Sequence, residues 1–134
     1  MDVACRLAAE HGAVITVVRV VEVPPLLPLD AHMVEEEEHA HRLLERAAAI
    51  ADSYGVGIAH RIPRAREPAR AIVDEAQTSH AEILVIGAPR KTGARARKGA
   101  FGSTVEHVLK RAPCRVMVIG TQLSAAEDVQ NAAA

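Results

Sequence analysis

Three stretches of this chain are apolar almost without alternation, and that restricts the sheet they can form. Ala13 to Val21, Glu82 to Gly87 and Arg115 to Ile119 are of strand length and rich in Val and Ile. A strand with one wet face alternates apolar and polar residues, whereas a continuous run suits a strand covered on both faces. Helical patterns separate these runs. Val3, Leu7 and Ala8 share a helical spacing before a stop at Gly12. A long helix is predicted from Met33 to Tyr54, with Glu35, Glu36, Glu37 and Glu38 at its electropositive start. Leu43, Leu44, Ala47, Ala48, Ile50 and Ala51 form its inner side, and Gly55 closes it. Pro68 opens a helix reaching about His80, with Ile72, Val73 and Ala76 inward. Ser103-Thr-Val-Glu106 has capping-box spacing at the start of a helix that ends before Pro113.

Val56 to Ile62 is a weaker strand that His60 and Arg61 interrupt, which places it near a sheet edge. Glu22 to Asp30 holds three prolines and reads as a connecting loop lying over apolar surface. Ala125 to Ala134 reads as a frayed tail. The order α-β-α-β-α-β-α-β predicts an α/β fold. Its doubly wound parallel sheet would use Val14 to Val21, Val56 to Ile62, Ile83 to Ile86 and Arg115 to Ile119 as strands. Such folds begin with a strand, and this chain begins with a helix.

At 134 residues the chain has the length of one domain. Hydrophobic residues make up 49% but aromatics only 1%, so the core is built from Val, Ile, Leu and Ala. That leaves no stacking platform for single-stranded nucleic acid, and a net charge of −1 gives no general attraction to polyanions, so no nucleic-acid partner is expected. Cys5 and Cys114 are isolated thiols without metal-ligand spacing, read as buried filler in a reducing compartment. No run approaches the ~20 apolar residues of a membrane span, and Met1 to Glu10 lacks the apolar core of a leader. The expectation is a soluble cytoplasmic domain.

The chemistry concentrates between Val85 and Thr104. A strand ends at Gly87, glycines recur at Gly93, Gly99 and Gly102, and Ser103 starts a helix. Glycines let amides approach an anion closely, and a helix N-terminus presents unpaired N–H groups. Arg90, Lys91, Arg95, Arg97 and Lys98 add positive charge. The segment reads equally as a phosphate cradle or as an ordinary βα loop with a solvated basic stretch. It is not a Walker A loop, because no Gly-Lys-Ser/Thr opens the helix. His39, His41 and His107 read as solvated helix residues, and no metal is expected. Asp74 and Glu75 are adjacent on a helix and cannot form a carboxylate dyad. No catalytic triad assembles from local sequence, and no residue offers itself as a base for ATP hydrolysis.

The strand, the glycine loop, Gly102-Ser103 and the run from Val105 to Val118, with its Ala112-Pro-Cys-Arg-Val-Met-Val118 segment, resemble the C-terminal half of a universal stress protein of the UspA type. Leu7 to Val21 is similar to the family's first helix and second strand. The resemblance implies a parallel sheet in the order 3-2-1-4-5, in a domain spanning residues 1–120 with a tail at 121–134. It also implies that some members bind ATP through Gly-x2-Gly-x9-Gly-Ser/Thr. Gly87 matches the first glycine and Gly102-Ser103 the last pair. Arg90 stands where the second glycine belongs, Gly93 follows three places later, and the whole interval is two residues longer.

The nucleotide site implied is Val20 beside adenine, with Gly87, Arg90, Lys91, Gly93, Gly102, Ser103 and Thr104 around the phosphates. The family's first strand has no counterpart before Val3; the start would lie downstream of it, or a partner chain would supply it. The resemblance further implies a homodimer through the Arg115–Ile119 strand. The basic loop also resembles stress-protein-like domains that form cytosolic tails of amino-acid transporters and antiporters, which makes a membrane transporter a candidate partner. Two functions follow: a regulatory domain that binds ATP, or a dimerisation and interaction module that needs no nucleotide. An ATP-hydrolysing enzyme is the weakest alternative.

Overall fold

The computed structural model describes residues 1–89 and 102–121. The elements run α1 (Asp2–His11), β1 (Ile15–Val18), β2 (Val21–Glu22), α2 (Val34–Ser53), β3 (Ile58–Arg61), β4 (Arg64–Ala65), α3 (Pro68–Thr78), β5 (Ile83–Pro89), α4 (Ser103–Arg111) and β6 (Arg115–Thr121). Gly12 ends α1 in the left-handed region at φ 62, and its N–H reaches the carbonyl of Ala8. A residue with a Cβ is disfavoured there, which is why the helix stops where the glycine stands. Pro68 takes the first turn of α3, where its missing N–H leaves no bond unmade.

All pairing among the described strands is parallel: β1 with β3, β2 with β4, and β5 with β6. The run read as one strand from Val14 to Val21 is broken in two. The register explains the break. Val18 lies opposite Arg61 and Val21 opposite Arg64, so β2 and β4 continue the ladder of β1 and β3 in step. Arg19 donates to the carbonyl of Arg61, and Val21 to that of Pro63. The bond returned to Arg19 would come from the amide of residue 63, and proline has none. The β4 segment beyond that proline was not expected from sequence.

These pairs correspond to strands two with three and four with five of the implied order. Among the described residues no strand lies between β1 and β5, so the sheet is divided. Two cores stand on the β1 and β2 side. Cys5 and Ala8 of α1 meet Ala51 of α2 and Val56, with Ile15 and Ile58 packed on them. Val21 and Val23 meet Met33 and Ala40. The inner side of α2 is Ala40, Leu44, Ala47 and Ala51, while Leu43, Ala48 and Ile50 are half-buried. On the other side Ala76, Ala88, Val105 and Val108 are buried. Cys5 fits the expectation of filler, while Cys114 is half-buried.

The proline loop departs from expectation. It does not lie apolar side down: Leu26 is 96% exposed, and Leu27 and Leu29 are exposed as well. It is held by its backbone instead, because two arginines of the β4 region take its carbonyls. Arg64 donates through Nε to Leu29 at 3.0 Å and through its guanidinium to the carbonyl of Ala31 and the carboxylate of Glu37. Arg66 donates to Pro24 at 2.7 Å and Leu27 at 3.0 Å.

Candidate functional site

Strand β5, helix α4 and strand β6 form one crossover unit. Because β5 and β6 are parallel, α4 must run back antiparallel to both, which brings its N-terminus to the end where β5 finishes. Gly87, opposite Ile119 in the ladder, and Ala88 therefore share an end of the sheet with Gly102, Ser103 and Thr104. Gly102 is the N-cap, with φ 90 and ψ 163. That combination is essentially restricted to glycine. Its carbonyl accepts the first helical bond, from Glu106 at 3.0 Å. The amides of Ser103, Thr104 and Val105 precede that bond and have no acceptor within the helix, so they point outward with the positive end of the helix dipole.

The capping box expected at Ser103 and Glu106 does not form, and no side chain caps α4. Gly102 turns the chain into the helix one residue sooner than the pattern assumes. Ser103 becomes the first helical residue, with an exposed side chain, and Glu106 is no longer the third position after the cap. The Ser103 hydroxyl is thereby released from the helix end and can meet a ligand. Thr104 is half-buried beside it.

Val20 is half-buried in the break between β1 and β2, on the other strand pair. The structure thus gathers Gly87, Gly102, Ser103 and Thr104 at one end of a crossover unit and leaves Val20 on a separate ladder. Arg90, Lys91 and Gly93 lie outside the described residues, as do Arg95, Arg97, Lys98 and the tail read from Ala125. His39, His41 and His107 are exposed. Among the described residues no three His, Cys, Asp or Glu gather as a metal site.

Two open cavities lie away from this corner. One of about 450 Å³ sits between β4 and α3, where Arg66 and Arg70 face Glu67, Asp74 and Glu75. The other, of about 480 Å³, lies at the opposite end of β5 and β6, between His11, Glu82, Cys114 and Arg115. The sequence reading passed over Arg64 and Arg66. Their partners stand some thirty to forty residues upstream, as between Arg64 and Ala31 or Arg66 and Pro24, so no local spacing marks them.

Comparison with known proteins agrees with this architecture. The model of the universal stress protein family matches residues 1–120. A universal stress protein of Methanocaldococcus jannaschii is 31% identical over 122 residues, covering 87% of this chain and 70% of that protein. A universal stress protein solved with cAMP superposes with a TM-score of 0.65 at 23% identity, covering 90% of this chain and 84% of that one. One from Archaeoglobus fulgidus solved with dAMP gives 0.67 at 24% identity, covering 87% and 82%. At those identities the two structures speak to the fold.

Proposed function

The chain belongs to the universal stress protein family, and on that footing we propose that it is a regulatory domain binding an adenine nucleotide at the N-terminus of α4. The observation that carries this reading is the Gly102 corner. Three outward amides and a free serine hydroxyl stand at the end of the sheet where β5 delivers Gly87. Oriented amides at a helix start suit a phosphate group. cAMP and dAMP, held by two relatives of like fold, share adenine and a phosphate, and that is the chemistry this corner would take. ATP is the first ligand to try. Arg90 and Lys91 would add charge from the adjoining loop. The reading is of binding and not of turnover.

Titration calorimetry with ATP at low and high salt tests it. Charge from surface arginine and lysine is screened by salt, so the expected outcome is millimolar-range binding that weakens as salt rises. Gly102→Ala, which puts a Cβ into a conformation essentially restricted to glycine, and Arg90→Glu with Lys91→Glu should each weaken it. No heat at millimolar ATP, or tight binding indifferent to salt, would sink the proposal.

A second reading rests on β6. It pairs only with β5 among the described strands, which leaves its other edge open along the apolar run Val116, Met117, Val118 and Ile119. An apolar edge of this kind can pair with its equivalent across a two-fold axis. A homodimerisation module acting on a transporter or another partner would need no nucleotide. Light scattering that finds a monomer at micromolar concentration would dispose of that reading.

A further inference from the structure

The loop between β2 and α2 is folded inside out. Here the backbone carbonyls of Pro24, Leu27, Leu29 and Ala31 are taken by the guanidinium groups of Arg64 and Arg66. The apolar side chains are left outside. Leu26 is 96% exposed, Leu29 49%, Leu27 42%, and Val34 at the start of α2 57%. The arrangement is held firmly. Leu27 donates to Pro24 and Ala31 to Pro28, each at 3.0 Å, closing two successive turns. Pro24, Pro25 and Pro28 fix the backbone between them. A loop ordered in advance loses little freedom when something binds it, and leucines displayed together on a fixed frame mark an interaction surface.

Charge decides the occupant. Between Val20 and His41 stand Glu22, Asp30 and Glu35 to Glu38, with no Lys or Arg. Arg64 engages Glu37, and Arg42 lies 3.8 Å from Glu38. Among the described residues no ion pair engages Asp30, Glu35 or Glu36; all three are exposed, Asp30 next in sequence to Leu29 and Glu35 and Glu36 in the first turn of α2. The surface is apolar at its centre and mainly acidic around it, although the exposed Arg66 holds the carbonyls of Pro24 and Leu27. We propose that it docks a basic amphipathic helix of a protein partner, whose apolar face meets Leu26, Leu27 and Leu29 and whose lysines or arginines meet Asp30, Glu35 and Glu36. A helix offers apolar residues at i, i+3, i+4 and i+7 on one stripe with cations flanking it, which matches that layout. An anionic lipid surface is disfavoured by the same carboxylates.

The test uses the 134-residue chain and a labelled synthetic peptide of ~18 residues, with leucines on one helical stripe and lysines on the rest. Fluorescence anisotropy should show saturable binding that weakens with salt. Leu26→Asp should reduce affinity about tenfold or more, as loss of a central apolar anchor does. Leu26→Ser should give a loss in the same direction without added charge. Glu35→Lys with Glu36→Lys should cost a similar factor and flatten the salt dependence. Leu26 touches little of the fold, so circular dichroism and melting should be unchanged in both Leu26 variants. Absence of binding overturns the proposal. So does binding that ignores both Leu26 variants, or equal binding of a peptide with glutamates in place of lysines. Self-association abolished by Leu26→Asp would make the occupant a second copy of this chain, and Leu26-dependent binding to phosphatidylserine vesicles would make it a membrane. Either result also overturns the proposal.

Discussion

Arg64 shows how much one side chain outside any motif can organise. Its planar guanidinium reaches the carbonyls of Leu29 and Ala31 and the carboxylate of Glu37, so it joins β4, the proline loop and the first turn of α2. Its side chain is 28% exposed, so water can replace part of what is lost when it is removed. Hydrogen bonds to a charged group contribute ~1.5–3 kcal/mol each at most; with that replacement, Arg64→Ala should cost about 2 kcal/mol in all. For a domain of this size that is a fall of roughly 6–8 °C in Tm. Arg64→Lys keeps the charge but not the fork, and a lysine cannot hold three separated oxygens in fixed geometry. It should recover less than half of the loss, with proteolysis in the loop faster than in the parent. Full recovery by lysine, read in a thermal melt, would mean that charge alone does the holding.

At the level of elements, what was legible in the sequence depended on whether the cause was local. Gly12 and Pro68 act on their own backbone, and both helix boundaries fell where those residues predicted. The runs Ile83 to Ile86 and Arg115 to Ile119 were also plain, because strands of a parallel sheet need no alternation of apolar and polar residues. Two features were hidden because their cause lies elsewhere in the chain. The capping box at Ser103 was overridden by the backbone of its neighbour Gly102, a matter of φ that spacing does not carry. The break at Arg19 and Val20 is caused by Pro63 across the ladder, which becomes visible only once the register is known. The corner proposed to bind a nucleotide depends on the crossover in the same way: the sequence marks Gly102, Ser103 and Thr104, and only the parallel pairing puts them at one end with Gly87, while Val20 belongs to the other strand pair. The Pro63 account can be checked. Pro63→Val supplies an amide that should donate to Arg19 and join β1 to β2. One hydrogen bond, ~0.5–1.5 kcal/mol, is offset by the freedom an unfolded chain gains on losing a proline, ~0.4–1 kcal/mol. Melting should therefore change by only a few degrees, while the new amide at 63 becomes protected in hydrogen exchange. An unprotected amide there would mean that something other than the missing donor breaks the strand.

Across the whole molecule the decisive fact is the divided sheet. In β1 the bonds to β3 use the backbone of Ile15, Val17 and Arg19, so the groups of Thr16 and Val18 point to the other side, where no described strand meets them. Among the described strands β5 pairs with β6 alone. The side chains agree: Ile15, Val17, Val18, Leu84, Val85 and Ile86 are half-buried, although such runs belong in strands covered on both faces. A strand of ~5–6 residues has ladders on both sides, and each backbone hydrogen bond made there in place of one to water adds ~0.5–1.5 kcal/mol. Several together would rival the ~5–15 kcal/mol that holds a domain folded. A strand joined ahead of Met1 should therefore act on the whole molecule and not on one element. The chain carrying ~10–15 further residues, five or six of them apolar and β-branched, should melt well above the 134-residue chain. The rise should exceed the few degrees that ~1 kcal/mol produces. The amides of Thr16 and Val18 should become slow to exchange, which a stabilising effect confined to α1 would not produce. A control extension of equal length made of Gly and Ser supplies no such strand and should leave both quantities where they were. Equal melting temperatures for the strand and control extensions would show that β1 and β5 satisfy their edges without a strand between them, and the sheet would then be complete with the pairs it has.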